Sequence, residues 1–220
     1  MPVLARLRFM LLGWGAVGVA YTTGRVLSGT PTLLPETALD RLIPFNPAGV
    51  WLYLSFFLLV PLAFLTTDAA RVPRLARAMQ LCAVVSAVIF VLWPTTLHYP
   101  PIPSGAAGAS LLDGLIASDS AQNCFPSLHG ALTLLCVAAL CSRRRPVASV
   151  LAVLWGFGIG WSVIQTRRHL AIDLGAGMLL GCASGWLVAH LSRLRDRRAT
   201  SPAASSNAKA AFETELESES

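Results

Sequence analysis

Charge is scarce in this chain. Asp, Glu, Lys and Arg make up 13% of its 220 residues, while apolar types make up 55%. That balance excludes a soluble globular domain. Lysine is nearly missing, with Lys209 alone against sixteen arginines. With abundant Ala, Leu and Gly, this bias points to a GC-rich bacterial genome. Acidic side chains are absent from the long apolar runs, except for Asp173. No carboxylate cluster is therefore available at membrane depth to hold Mg²⁺. Five cysteines with no CxxC pair exclude a disulfide framework and a structural zinc site. Cys124, outside the apolar runs, reads as packing. There is no internal repeat.

Apolar runs long enough for a hydrocarbon core of about 30 Å recur along the chain. Six are expected to be transmembrane helices: Leu7–Leu27, Ala48–Thr66, Ala78–Leu97, Ser127–Cys141, Val147–Thr166 and Leu170–Leu191. The expected architecture is an all-α integral membrane bundle over residues 1–198. An Ala/Ser-rich tail, 199–220, ends in alternating glutamates and is expected to be disordered. The first run is too long for the apolar core of a cleaved signal peptide, and no small-residue cleavage site follows it clearly. The fourth run is short, about 22 Å at ~1.5 Å per residue. The segment Ser110–Ala117 reads as a short amphipathic stretch lying on the surface.

The net charge of +6 is a topology signal and not a nucleic-acid footprint. Arg6 and Arg8, then Arg71, Arg74 and Arg77, then Arg143 to Arg145, then Arg193 to Arg198 fall in alternate connections. Under the positive-inside rule both termini face the cytoplasm. The expected location is a bacterial inner membrane, with the other connections periplasmic. Arg167 and Arg168 break the pattern by falling on the outer side. Beside a histidine and an aspartate, they read as an anion clamp.

Two segments concentrate the chemistry: Asn123-Cys-Phe-Pro-Ser-Leu-His129 and Thr166-Arg-Arg-His169-Leu-Ala-Ile-Asp173. Each places a histidine at the outer edge of a membrane segment, where ionisable groups are expensive and usually functional. His169 and Asp173, four residues apart at a helix start, share a face. The aspartate can hold one ring nitrogen and leave the other as base or nucleophile. His129 is a second titratable group suited to protonating a poor alkoxide leaving group. Arg167 and Arg168 can pair with phosphate oxygens, and two helix N-termini add positive field. Ser127 can donate or accept locally at the start of its helix. His190, at the opposite end of the last helix, reads as structural.

These segments resemble motifs of the type-2 phosphatidic acid phosphatase (PAP2) superfamily. Phe125-Pro-Ser-Leu-His129 is similar to its second motif, and Thr166-Arg-Arg-His169 with Asp173 to its third. Asn123 and the Thr-basic-x-His order look most like the branch containing inositol phosphorylceramide synthases. The resemblance implies a membrane-embedded lipid phosphatase or phosphotransferase. Its nucleophile is then His169, its orienting carboxylate Asp173 and its general acid His129. Ser127 helps bind phosphate, and neither metal nor cofactor is needed. The implied partners are a phosphorylated lipid, such as phosphatidate or a polyprenyl diphosphate, and the bilayer, with no nucleic acid. One departure stands out. The stretch Trp93–Pro103 lacks the Lys and Arg of the first motif, and Val163 stands where the widespread third motif has arginine. Arg167 and Arg168 are the expected compensation, with Asn123 and His98 as further phosphate-binding candidates. A non-catalytic lipid-phosphate binding or transport protein on the same scaffold is the alternative.

Overall fold

The computed structural model describes residues 1–119 and 121–199, and the chain in it is mostly helical. Two compact units make it up, Met1–Gly185 and a second from Trp186 onward. The first begins with α1 (Val3–Leu27), then a two-residue strand β1 (Thr32–Leu33) and a short α2 (Ala38–Leu42). A 3₁₀ turn at Pro47–Gly49 leads into α3 (Val50–Leu54) and α4 (Phe56–Thr66). Next come α5 (Val72–Leu92), β2 (Thr95–Thr96), α6 (Ala109–Ser118), α7 (Leu128–Leu140) and α8 (Pro146–Gln165). The last helix, α9 (Ala171–Ala199), starts in the first unit and continues through the second. Within the second unit Trp186 stacks on His190 at 5.2 Å. The tail expected to be disordered lies outside the described residues, apart from Ala199 at the end of α9.

Five helices among the described residues are long and apolar enough to cross a membrane: Val3–Leu27, Pro47–Thr66, Val72–Leu92, Pro146–Gln165 and Ala171–Arg197. The sixth expected span, α7, has only 13 helical residues and falls short of that length. The third span starts earlier than its apolar run, so Arg74 and Arg77 lie inside α5. It also ends earlier. Pro94 stops it, and Thr95–Thr96 pairs in parallel with Thr32–Leu33 instead of continuing the helix to Leu97. The second span is interrupted at Ser55, whose N–H bonds the Leu52 carbonyl at 3.2 Å in 3₁₀ fashion. Ser55 Oγ accepts from Trp155 Nε1 of α8 at 2.7 Å, which ties the interruption to its neighbour.

The short helix is the central one. Leu128 through Thr133 are all buried, as are Leu135 and Cys136, which is the pattern of a helix covered on every side. It packs against α4, α5 and α8, and its close approach to α9 depends on glycine. A Cβ on Gly177 would overlap the Ser127 carbonyl oxygen, and one on Gly181 would lie 2.7 Å from the Ala131 carbonyl oxygen. Small residues let backbones meet where lipid provides no hydrophobic drive. Gly177→Ala is therefore expected to push α7 away, lowering thermal stability and displacing the helix start that carries His129. Gly175→Ala, two residues earlier with open space around it, is the control. Thermal unfolding of the two variants in detergent checks this, and equal melting temperatures would refute it.

The helix ends sort by chemistry. At one end Arg6 donates to the carbonyls of Phe64 and Thr67, and Arg71 donates to those of Ala139 and Cys141. These guanidiniums satisfy carbonyls that α4 and α7 leave open at their C-termini. At the other end three connections are laced together. Thr95 bridges to Asn123 beside the β1–β2 pair, and Thr95 Oγ1 accepts from the Phe125 N–H at 2.8 Å. The two histidine segments lie at this second end, away from the basic connections.

Candidate active site

Ser127 caps α7, accepting from the Gly130 N–H at 3.2 Å, and the Ser127 N–H donates to the Asp173 carbonyl at 3.0 Å. The cap sets His129 on the first turn, and the backbone bond fixes α7 against the start of α9. Pro126 just before the cap follows a cis peptide bond. On the opposite side, the turn between α8 and α9 is gathered by Val163, whose carbonyl accepts from the N–H groups of both Arg168 and His169. The residue at the expected arginine position thus contributes its backbone to the turn.

These two starts bring the histidines together. His129 Nδ1 lies 3.1 Å from His169 Nε2, and His169 Nδ1 lies 2.6 Å from Asp173 Oδ2. The second oxygen, Asp173 Oδ1, accepts from the N–H groups of Leu170 and Leu174 at 2.7 and 3.0 Å. Asp173 is 0% exposed and His169 3%. A carboxylate accepting at both oxygens places the hydrogen of His169 on Nδ1 and leaves Nε2 with its lone pair. That lone pair points at His129, so a phosphoryl group must part the two rings to reach it. Beyond His129 lies Tyr53, whose hydroxyl is 2.8 Å from His129 Nε2.

The two arginines divide their tasks. Arg167 sits in the left-handed region at φ 51°, a conformation that costs a non-glycine residue about 1–2 kcal/mol. Its guanidinium donates to the carbonyls of Ile164, Asp40 and Ile43 at 2.8–3.0 Å. It therefore holds the C-terminal end of α2 onto the site and is not turned to the histidine pair. Arg168 is the charged neighbour of the site. Its Nη2 donates to Asp119 Oδ2 at 2.9 Å, and its Cζ stands 4.9 Å from the centre of the Tyr99 ring. The buried Nε has no hydrogen-bond partner among the described residues. Burial opposes the Arg168 charge, but Asp119 and Tyr99 outweigh it and hold the pKa above the usual value.

Asn123 faces inward, donating from Nδ2 to the Tyr21 carbonyl at 2.8 Å, with a buried Oδ1 that has no partner among the described residues. His98 is exposed in the connection after β2 and is not part of the histidine chain. Cys124 is buried beside Tyr99, and burial pushes its thiol up to about 12, so it is not a thiolate at neutral pH. Ser162 bonds back to the Ile159 carbonyl inside α8. Among the described residues no group of three or more His, Cys, Asp and Glu is arranged to hold a metal ion.

Three contributors escaped the sequence reading. Asp40 forms a capping box with Thr37 and accepts from the Ala171 N–H of α9 at 2.7 Å. The Thr37-Ala-Leu-Asp40 spacing was the available signal. Asp119, at the end of the surface segment α6, is the ion-pair partner of Arg168. Tyr53 lies in a membrane segment, where a buried hydroxyl requires a partner. Asp40 and Tyr53 sit far in sequence from either histidine motif, while Asp119 precedes the first by four residues.

Two apolar clefts reach His129. One, of about 470 Å³, runs along α1 past Met10, Trp14 and Tyr21, with Phe57 opposite and Asp119 at its rim. The other, of about 430 Å³, lies between α7, α8 and α9 and is walled by Thr133, Phe157, Trp161 and Met178.

Residues 90–197 of the chain match the sequence model of the PAP2 superfamily. The matched stretch contains both histidines, Asp173 and Arg168, while α1, α2 and Tyr53 lie outside it. No curated protein and no solved structure matches the chain.

To separate the arginines, Arg168→Gln is expected to lower kcat/KM for a phosphorylated substrate by about 10²-fold or more, the scale of losing one charge-stabilising donor. Arg167→Gln is expected to act on stability instead, because its three acceptors are backbone carbonyls. Steady-state kinetics and thermal unfolding measured on both variants check the division. A melting-temperature loss confined to Arg168→Gln would reverse it.

Proposed function

We propose that this protein is a membrane-embedded phosphatase or phosphotransferase of the PAP2 type, acting on a phosphorylated lipid through a phosphohistidine on His169. The observation that carries the reading is the continuous chain His129–His169–Asp173, with bonds of 3.1 and 2.6 Å, next to the buried Arg168. His169 Nε2 attacks phosphorus, forming the N–P bond as the P–O bond to the lipid breaks. His129, as an imidazolium, gives its Nδ1 proton to the departing oxygen. Arg168 stabilises the equatorial oxygens, its Nη2 exchanging Asp119 for phosphate and its Nε taking the acceptor it otherwise lacks. Neutral His129 then takes a proton from the incoming hydroxyl, which attacks phosphorus and releases His169.

The α1-side cleft supports a lipid substrate, since its walls are apolar side chains on membrane-crossing helices and its inner end is His129. In this reading α7 is the sixth span. Its shortness keeps His129 slightly below the surface, where a headgroup meets its alkyl chain. The histidine end is placed at the periplasmic face and both termini in the cytoplasm, a placement supported by the arginines gathered at the opposite end. Ser127 and Asn123 belong to the phosphate pocket, with His98 at its outer edge. Hydrolysis is the leading reaction. The second cleft favours transfer as the second reading, because two apolar clefts meeting at one histidine suit a donor lipid and an acceptor lipid. An enzyme similar to inositol phosphorylceramide synthases would work in this way.

The test is phosphate release by purified protein from phosphatidate and from a polyprenyl diphosphate, with EDTA present. Quenching a reaction with ³²P-labelled substrate in alkaline detergent should trap alkali-stable, acid-labile label on the protein. Movement of the phosphoryl group onto an added hydroxylated acceptor lipid, without free phosphate, would select transfer. Binding without labelling or turnover under either condition would overturn the enzyme reading and leave a lipid-phosphate carrier.

A further inference from the structure

Histidine presents two nitrogens, and a general acid needs both accounted for. In the chain of bonds here, Asp173 fixes the hydrogen of His169 on Nδ1, so Nε2 of His169 can only accept. The neighbouring atom, His129 Nδ1, must then donate to it. Neutral His129 is left with a bare Nε2, and the atom facing that nitrogen at 2.8 Å is the Tyr53 hydroxyl. The hydrogen bonds therefore run in one direction, from Tyr53 through both imidazoles to Asp173. When His129 becomes an imidazolium its Nε2 also carries hydrogen. The Tyr53 oxygen, which can donate or accept, then rotates its hydrogen away and becomes the acceptor.

We propose that Tyr53 is the positioning residue of the general acid, holding His129 Nε2 in both protonation states so that Nδ1 stays aimed at the phosphoryl position. This inference rests on the phosphohistidine reading above. The packing is built for that task. Tyr53 is 1% exposed, and the His129 ring is held between the rings of Tyr53 and Phe56, each centred 4.9 Å away. Tyr21 of α1 closes a third side at 6.5 Å, edge-on. Tyr53 ends α3 just before the Ser55 interruption, which Trp155 anchors. A continuous helix would carry that register on through Ser55, whereas the anchored break fixes where α3 ends. Without Tyr53 the imidazolium would have a buried N–H with no acceptor, and the ring would be free to turn its Nδ1 off the leaving group.

Positioning of an acid matters only where an acid is needed, and this separates the role from mere packing. Tyr53→Phe keeps the ring and removes the hydroxyl. With phosphatidate, whose leaving group is an alkoxide, kcat is expected to fall about tenfold to hundredfold, the scale of one charge-assisted hydrogen bond. With p-nitrophenyl phosphate, whose leaving group departs without a proton, the deficit should shrink to a small fraction of that. Equal losses on both esters, or no loss on phosphatidate, would overturn the proposal. A second measurement is independent of turnover. In ¹⁵N-histidine-labelled protein the His129 Nε2 resonance should move toward that of a free imidazole nitrogen in Tyr53→Phe. An unchanged resonance overturns the proposal even in an inactive protein. Absence of turnover in the unaltered protein, with the resonance still dependent on Tyr53, would instead remove the enzyme reading alone.

Discussion

Replacing His169 with alanine is expected to abolish phosphoryl release, with kcat falling by about 10⁴–10⁶-fold, the scale seen when a nucleophile is deleted. The reason is specific to the geometry. His169 Nε2 is the one ring nitrogen of the pair that the bond network leaves with a lone pair directed between the two imidazoles. His129 cannot replace it, because its bare nitrogen faces Tyr53 and its other nitrogen carries hydrogen. The variant should also lose the acid-labile ³²P label completely. Some stability loss is expected, about 1–3 kcal/mol, because Asp173 Oδ2 loses its donor in a fully buried site. Size-exclusion behaviour and thermal unfolding in detergent distinguish that loss from a failure to fold. A well-folded His169→Ala protein that turns over or labels normally would end the phosphohistidine mechanism.

The second large effect belongs to Asp173→Asn, a nearly isosteric change that should lower kcat by about 10⁴-fold. Asparagine can still accept from the Leu170 and Leu174 N–H groups through its carbonyl oxygen, so the start of α9 is kept. Its NH₂ group then faces His169 Nδ1. A donor there makes Nδ1 the acceptor and moves the hydrogen to Nε2, which removes the attacking lone pair. The substitution therefore reverses a tautomer while leaving the packing in place. Asp173→Ala differs, since the Leu170 N–H and the imidazole N–H would lose their acceptor, while the Leu174 N–H keeps the Leu170 carbonyl. Comparing the unaltered protein with His169→Ala, Asp173→Asn and Asp173→Ala by kcat and by melting temperature checks this. Asp173→Asn should resemble the unaltered protein in stability and His169→Ala in activity. Near-normal kcat in Asp173→Asn would show that the orienting bond is not part of the chemistry.

How far the sequence could be read depended on how local the determinants were. The membrane class, the position of most spans and the His169–Asp173 pair were all legible. The hydrocarbon core imposes a length, and a helix places residues four apart on one face. The ends of the spans were misjudged where loops intervene. The third span was expected to reach Leu97, yet Thr95 and Thr96 pair with Thr32 and Leu33, some 60 residues earlier. An apolar run alone does not show that kind of pairing. The shortness of the fourth run is legible from its length alone. That the run is the buried centre of the bundle follows from its packing against α4, α5 and α8 and from the glycines of α9 pressed against its backbone.

Arg167 and Arg168 illustrate the limit most directly. Adjacent and chemically identical, they read together as one clamp, but the left-handed backbone at Arg167 turns its side chain to three carbonyls, two of them in the distant α2 region. Arg168 meets Asp119, a residue 49 positions away. Residue types and helical spacing were enough to specify a membrane protein with a paired histidine and aspartate at one helix start. Folding decided that His129 completes the chain, that Tyr53 stands behind it, and which arginine side chain lies beside it. Those outcomes depend on distances between segments brought together by packing, and no short-range rule of the chain encodes them.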